Sequence, residues 1–349
     1  VFDHERTKRL TRYLIGLVAL VLIAAGCGSD GGSDEPIKVG SKEFTEQLLL
    51  GEMTIQVLDS HGLATEDKTE IGGTAIVRQA LEEGEIDVYW EYTGTAWFTH
   101  FGESEVIDPA EMETQVRETD AGNGITWLDP AGFNNTYTLM IQKDDEATIG
   151  STLSDLATYV QANPDTVVCI NEEFAVRPDG LPALAEAYGF EFDNVEQMTT
   201  GLTYAALAEG DCDVAMGFAT DGRIARLGLM NLEDDQSFFP AYYPAANVRD
   251  EVLEATPEVA DYLNCIAASL STDTMTELNA RVDSDGESVS DVAADHLAGT
   301  ECLGEQGESP GLRARRFRVA PAQAASGIQR PTRGSMAAGS AKASVKSRW

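Results

Sequence analysis

The chain has 349 residues, 43% of them hydrophobic and 7% aromatic, with 59 acidic against 24 basic side chains and a formal net charge of −35. That length permits two domains of ordinary size, each with its own core. So negative a balance argues against a nucleic-acid binder, whose surface must neutralise phosphates; it fits a protein adapted to high salt, where repulsion is screened, or simply one kept soluble outside the cell.

Arg6, Lys8, Arg9 and Arg12 give a basic start, and Tyr13 to Ala25 is a mostly apolar run of thirteen residues. At about 1.5 Å each they fall short of a hydrocarbon core of about 30 Å, so residues 1–27 read as a signal peptide and export is expected. Ile23-Ala24-Ala25-Gly26-Cys27 resembles a bacterial lipobox, with Ala24 where Leu is usual. Cys27 is then expected to carry a lipid that ties the protein to the outer face of the cell membrane; the alternative is ordinary cleavage with Cys27 free. GSDGGSDE at 28–35 reads as a flexible tether.

From Pro36 short apolar strands alternate with helical stretches, the pattern of an α/β fold. IKVGS (37–41) is a strand, and the segment to about Asp59 carries Phe44, Leu48 and Ile55 at helical spacing. Thr74 is placed to cap a helix with Val77, Ala80 and Leu81 on one face and Gly84 at its end, before the strand IDVYW. A second series follows: the strand TYTLMI (136–141), a helix marked by Leu153, Leu156, Ala157 and Val160 and stopped by Asn163-Pro164, then the strand TVVCI (166–170). A helix near 201–209 precedes the strand DVAMGF, and from about Ala245 the chain reads as largely helical, with Val259, Leu263 and Ile266 as apolar positions.

Apart from Cys27 there are four cysteines, Cys169, Cys212, Cys265 and Cys302. In an exported protein they suggest two disulfides with three pairings open; Cys169 with Cys212 and Cys265 with Cys302 is the pairing favoured by their placement on the expected elements. The spacing does not resemble a zinc site and only four histidines are scattered along the chain, so neither metal nor cofactor is expected.

The stretch EIDVYWEYTGTAWF (85–98) packs five aromatic side chains into fourteen positions. ALAEGDCDVAMGF (206–218) overlays ALEEGEIDVYWEY (80–92) with six of thirteen positions identical, and sets Phe218 against Tyr92. Either this is chance similarity between two helix–turn–strand units, or two lobes share one plan and each presents a ring beyond the carboxyl end of an equivalent strand, where open α/β sheets bind ligands. Several aromatic faces together suit a quaternary ammonium cation, which has no N–H to donate but gains about 0.5 to 2 kcal/mol per ring, together with burial of its methyl groups.

GSKEFTEQ (40–47), EYTGTAW (91–97), NNTYTLMI (134–141), EFAVRPDGLPAL (173–184), FATDGRI (218–224) and FPAYYPAANVR (239–249) resemble, in that order, signature segments of the substrate-binding proteins that serve ABC importers of glycine betaine, choline and related osmoprotectants. The resemblance covers roughly residues 36–302. It implies the two-lobed periplasmic-binding-protein fold of type II with two crossover segments, lobe one from 36–137 plus 243–302 and lobe two from 138–242. It also implies an aromatic cage of Tyr92, Tyr137, Phe218 and Tyr242, with Lys42, Thr95 and Arg177 holding a ligand carboxylate. Phe218 stands where Tyr is more frequent; Trp90 and Ala241 replace Pro and are expected to alter the cleft wall. Partners implied are the small ligand and the permease subunits of an importer, with the protein itself a monomer.

The rival readings are a choline-selective protein, a secreted enzyme and a sensor domain on the same scaffold. No G-x-S-x-G elbow is present and no histidine lies in the six motifs, so an enzyme is not expected. Residues 303–349, with 9 basic and 2 acidic side chains and few large apolar residues, read as a disordered basic tail.

Overall fold

The computed structural model describes residues 35–304. The expected signal peptide, Cys27, nearly all of the tether and the basic tail from residue 305 lie outside the described residues. In chain order the main elements are β1 (Ile37–Lys42), α1 (Thr45–Ser60), β2 (Thr65–Gly72), α2 (Thr74–Glu82), β3 (Val88–Tyr92), α3 (Pro109–Ala121), β4 (Ile125–Pro130), β5 (Tyr137–Gln142), α4 (Leu153–Ala162), β6 (Val167–Ile170), α5 (Leu181–Tyr188), β7 (Asn194–Gln197), α6 (Thr200–Glu209), β8 (Val214–Phe218), β9 (Leu229–Asn231) and β10 (Pro244–Arg249). Three helices close the described chain: α7 (Glu258–Ser269), α8 (Thr272–Asp283) and α9 (Val289–Leu297).

The strands form two five-stranded sheets with the same plan, β2-β1-β3-β10-β4 and β7-β6-β8-β5-β9. In each, the first three strands are parallel and the fourth runs against its neighbours. That fourth strand is the one arriving from the other lobe: the chain crosses between β4 and β5 and returns between β9 and β10. The architecture is α/β and two-lobed, as expected.

Local chemistry explains the better-marked elements. The side chain of Thr152 accepts from the Asp155 N–H while the Asp155 carboxylate accepts from the Thr152 N–H, a reciprocal cap that starts α4. Asp108 caps α3 by accepting from the N–H groups of Ala110 and Glu111, with Pro109 at the first helical position. The glycine shared by the two repeat copies has one task in both: Gly84 (φ 73°) and Gly210 (φ 80°) turn the chain into the left-handed region after α2 and α6 and so launch β3 and β8.

Two expectations need correction. The segment from Ala245 begins not as helix but as β10, buried along nearly its whole length; its small residues lie between β3 and β4, and this covering on both faces removes the alternation that marks a strand. Thr74 is the first residue of α2 rather than its cap, which is Gly73. The strands β2 and β7 carried no apolar signal because they are edge strands, rich in polar and charged side chains.

The first lobe's core joins α1 (Leu49, Leu50, Met53) to α7 (Val259, Leu263), α9 (Leu297) and Trp90 of β3. Trp90 is therefore core, not cleft wall, and its indole N–H donates to Thr54 at 3.0 Å. The disulfides pair Cys169 with Cys212, joining β6 to the approach to β8, and Cys265 with Cys302, tying α7 to the end of the described chain. The second spans 37 residues, for which loop closure predicts a loss of about 2 to 4 kcal/mol when it is opened. Cys265→Ser with Cys302→Ser should lower the urea midpoint accordingly; an unchanged midpoint would show that this bridge contributes nothing.

Candidate ligand-binding site

Strand ends converge between the two sheets. Tyr92 is the last residue of β3 and Phe218 the last of β8; Tyr137 opens β5 directly opposite Phe218, and Pro244, two residues after Tyr242, opens β10 opposite Tyr92. Sheet register thus delivers four rings to one place. Tyr92, Tyr137, Phe218 and Tyr242 all line a cavity of about 930 Å³, together with Lys42 and Thr95.

The ring centroids of Tyr137 and Phe218 lie 5.1 Å apart, and Tyr137 meets Tyr242 edge-on at 5.6 Å and 82°. A fifth ring closes the series: Phe44 stacks on Phe218 at 5.1 Å and on Tyr92 at 6.3 Å. Its spacing suggested a helix face, but Phe44 is the N-cap of α1 and belongs to the cavity wall. Gly94 makes room for this arrangement, since a Cβ there would lie 2.9 Å from the Tyr242 ring. Ala241 is not in the wall; its carbonyl accepts from the Thr93 hydroxyl at 2.9 Å.

Three buried acids organise the surroundings. Glu91, behind the rings, accepts from Lys42 Nζ at 2.6 Å and from Tyr89 at 3.0 Å and lies 3.0 Å from His100 Nε2. Burial alone would push its carboxyl up, but Lys42 and His100 prevail and hold it well below the usual carboxylate range. Asp179 takes a bidentate pair from Arg177 (2.8 and 2.7 Å) and the hydroxyl of Tyr242 at 2.6 Å. Glu46 accepts from Tyr92 (2.7 Å), Asn135 (2.8 Å), Thr220 (2.6 Å) and Asn279 (3.4 Å); burial pushes its carboxyl up, against the pull of these four donors. Burial and the facing acids also raise the phenols of Tyr92 and Tyr242 well above their ordinary value, so both remain neutral donors.

The groups expected to hold a carboxylate therefore divide. Lys42 and Thr95 stand in the wall, although Lys42 is already paired with Glu91. Arg177 does not line the cavity: it lies beside the Tyr137 ring, its carbon 5.2 Å from the centroid, with its fork taken by Asp179 two residues on. The proximity of Asp179 in the RPDG turn is what the motif alone did not reveal. Glu46, Asn135 and Thr220 lie within the quoted motifs without having drawn a role; Asn279, on α8, carried no signal at all.

Contacts at the rims join the lobes. Glu173 of the second lobe accepts from the Thr74 N–H (2.7 Å) and hydroxyl (3.1 Å) at the start of α2, where the unpaired N–H groups of a helix N-terminus favour a carboxylate. On the other side Arg226 forms a bidentate pair with Asp285, and Arg223 reaches Asp283 at 3.3 Å.

A cavity walled by rings from two lobes and closed by contacts between them defines a solute-binding protein. Residues 35–299 match the family described as the substrate-binding domain of ABC-type glycine betaine transport systems. The chain is 38% identical over 273 residues to the glycine betaine-binding protein YehZ of Escherichia coli, covering 75% of this chain and 90% of that one. It is 36% identical over 289 residues to a glycine-betaine-binding protein of Pseudomonas aeruginosa, covering 80% and 93%. Among solved structures, one described as a glycine betaine/carnitine/choline ABC transporter superposes with a TM-score of 0.63 at 30% identity, over 75% of this chain and 98% of that one. The chain belongs to this family of substrate-binding proteins, which are not enzymes and work outside the cytoplasm. No helix among the described residues is long and apolar enough to cross a membrane.

Removing one member of a buried ion pair leaves the other charge uncompensated, at a cost of about 3 kcal/mol or more. Lys42→Met should lower unfolding stability in urea by that order at pH 7; a loss below about 0.5 kcal/mol would show that His100 alone satisfies Glu91.

Proposed function

We propose that this protein captures glycine betaine, or a close quaternary ammonium relative, outside the cell and hands it to the permease of an ABC importer. The observation that carries the reading is the meeting of Tyr92, Tyr137, Phe218 and Tyr242, with Phe44, around one cavity supplied by both lobes. The trimethylammonium head lies among these faces, gaining quadrupole attraction and methyl burial. Thr95 and Lys42 are the donors in the wall for the carboxylate; an ammonium has three N–H groups, and Glu91 takes one of those of Lys42. Arg177 acts from behind, fixing Tyr137 and, through Asp179, Tyr242. Lobe closure around the ligand creates the surface that the permease recognises. A lipid on Cys27 holds the protein, as a monomer, at the outer face of the membrane.

A ligand of the choline type is the second reading. It is favoured by the engagement of both Lys42 and Arg177 with acids and by the presence of Glu46 in the wall.

Calorimetric titration of the purified protein with glycine betaine, choline, carnitine and proline betaine is the test. Binding of betaine is expected. Tyr92→Ala should weaken betaine and choline alike by about tenfold or more, since either head loses a ring and its packing. Thr95→Val should weaken betaine alone. Absence of heat with all four compounds would refute the function, and equal losses of betaine and choline on Thr95→Val would refute the role given to Thr95.

A further inference from the structure

We propose that Glu46 is the anionic pole of the cavity, a positioning residue that makes the site prefer a positively charged head over an uncharged head of the same shape. The inference rests on the quaternary ammonium reading above.

The other buried or half-buried acids in and around the wall each have a basic partner: Glu91 has Lys42, Asp179 has Arg177, and Asp221 and Asp283 share Arg223. Glu46 is different. It is only 2% exposed, it lines the cavity, and among the described residues its partners are four uncharged donors with no basic side chain. Burial pushes this carboxyl up and the four donors pull it down; in its ionised form, served only by neutral donors, it keeps its field, which a wall of aromatic rings screens poorly.

The field is relayed by a cage ring. Gln47 Nε2 donates to Tyr92 Oη at 3.2 Å and to the Trp90 carbonyl at 2.8 Å, so the Tyr92 hydroxyl accepts on one side and its proton is directed at Glu46, 2.7 Å away. A phenol donating to a carboxylate is polarised towards phenolate, which makes its ring face more negative and a better seat for a cation. Two further acceptors stand in the same wall. Asn135 and Asn279 both spend their amide N–H on Glu46, and the carbonyl oxygens Oδ1 of both are buried without a donor. These buried oxygens do not open onto the cavity, but their partial negative charge adds to the field of Glu46.

The test uses the full chain and two ligands, glycine betaine and 3,3-dimethylbutanoate, in which carbon replaces the nitrogen. Both carry the same carboxylate, so any effect of Glu46 on that end cancels in the ratio of their affinities. The unsubstituted protein should prefer betaine. Glu46→Gln should cut betaine affinity about tenfold while moving the dimethylbutanoate affinity less than about threefold, and Tyr92→Phe, which keeps the ring and removes the relay, should reduce the ratio by about threefold. Equal weakening of both ligands by Glu46→Gln, or an unchanged ratio, would overturn the proposal and leave Glu46 a packing group. If Glu46→Gln gives no cooperative unfolding transition, the ratio for Tyr92→Phe decides alone. Failure of the unsubstituted protein to bind any of the four quaternary compounds would sink the functional reading, and this inference with it; if choline binds and betaine does not, choline and 3,3-dimethylbutan-1-ol take the place of the two ligands. Intact binding of the quaternary ligand with unchanged ratios sinks only the role of Glu46.

Discussion

A fully methylated ammonium has no N–H to offer, so a protein can hold it only with electron-rich faces, with a field and by excluding water. The site proposed for this protein depends on bringing enough faces together. No single sheet end supplies them: Tyr92 and Phe44 belong to the first sheet and the turn beside it, Phe218 and Tyr137 to strands of the second sheet, while Tyr242 lies on the segment returning to β10. Two sheets with one plan, each sending rings to the cleft, meet that need, and the pairings Tyr137↔Phe218 and Pro244↔Tyr92 set where the rings stand. The cavity is complete only where the lobes meet. Thr220 donating to Glu46 and Glu173 capping α2 are bonds that an open cleft would lack.

The rings also have to be held still. Each tyrosine hydroxyl that faces an acid is fixed by it, Tyr92 by Glu46 and Tyr242 by Asp179. Cations stand beside two of the ring faces, Lys42 5.3 Å from the Tyr92 centroid and Arg177 5.2 Å from that of Tyr137. Burying so many charges brings little net stability, because desolvation offsets the attraction within each pair. What it supplies is geometry: a bidentate guanidinium and a carboxylate with several donors admit few alternative arrangements. The cleft is rigid on its polar side and apolar on its ring side.

Much of this was legible in the residues. Tyr92 and Phe218 were legible because they end strands whose apolar runs are plain and because a repeat aligned one with the other, whereas Tyr137, which opens a strand, and Tyr242, which lies outside one, came only from the resemblance of the motifs that hold them. Reading stopped where neighbours in space decide the matter. Arg177 looked like a free fork until Asp179 proved to occupy it, and Phe44 looked like a helical apolar position until the helix began one residue later. Trp90 looked like a change to the cleft but packs against α1, on the core side of β3. Asn279 is an ordinary polar residue of α8 by any local criterion; only the packing of α8 beside the cavity brings it to Glu46. The segment at Ala245 was misread because a small-residue strand covered on both faces has neither a period of two nor bulk.

The most direct examination of the account is a crystal structure of the protein grown with glycine betaine. The expected result is a quaternary nitrogen within about 6 Å of the ring centroids of Tyr92, Tyr137, Phe218 and Tyr242, with the carboxylate turned towards Thr95 and Lys42. Betaine lying outside this ring set, or seated with its carboxylate among the rings, would contradict it.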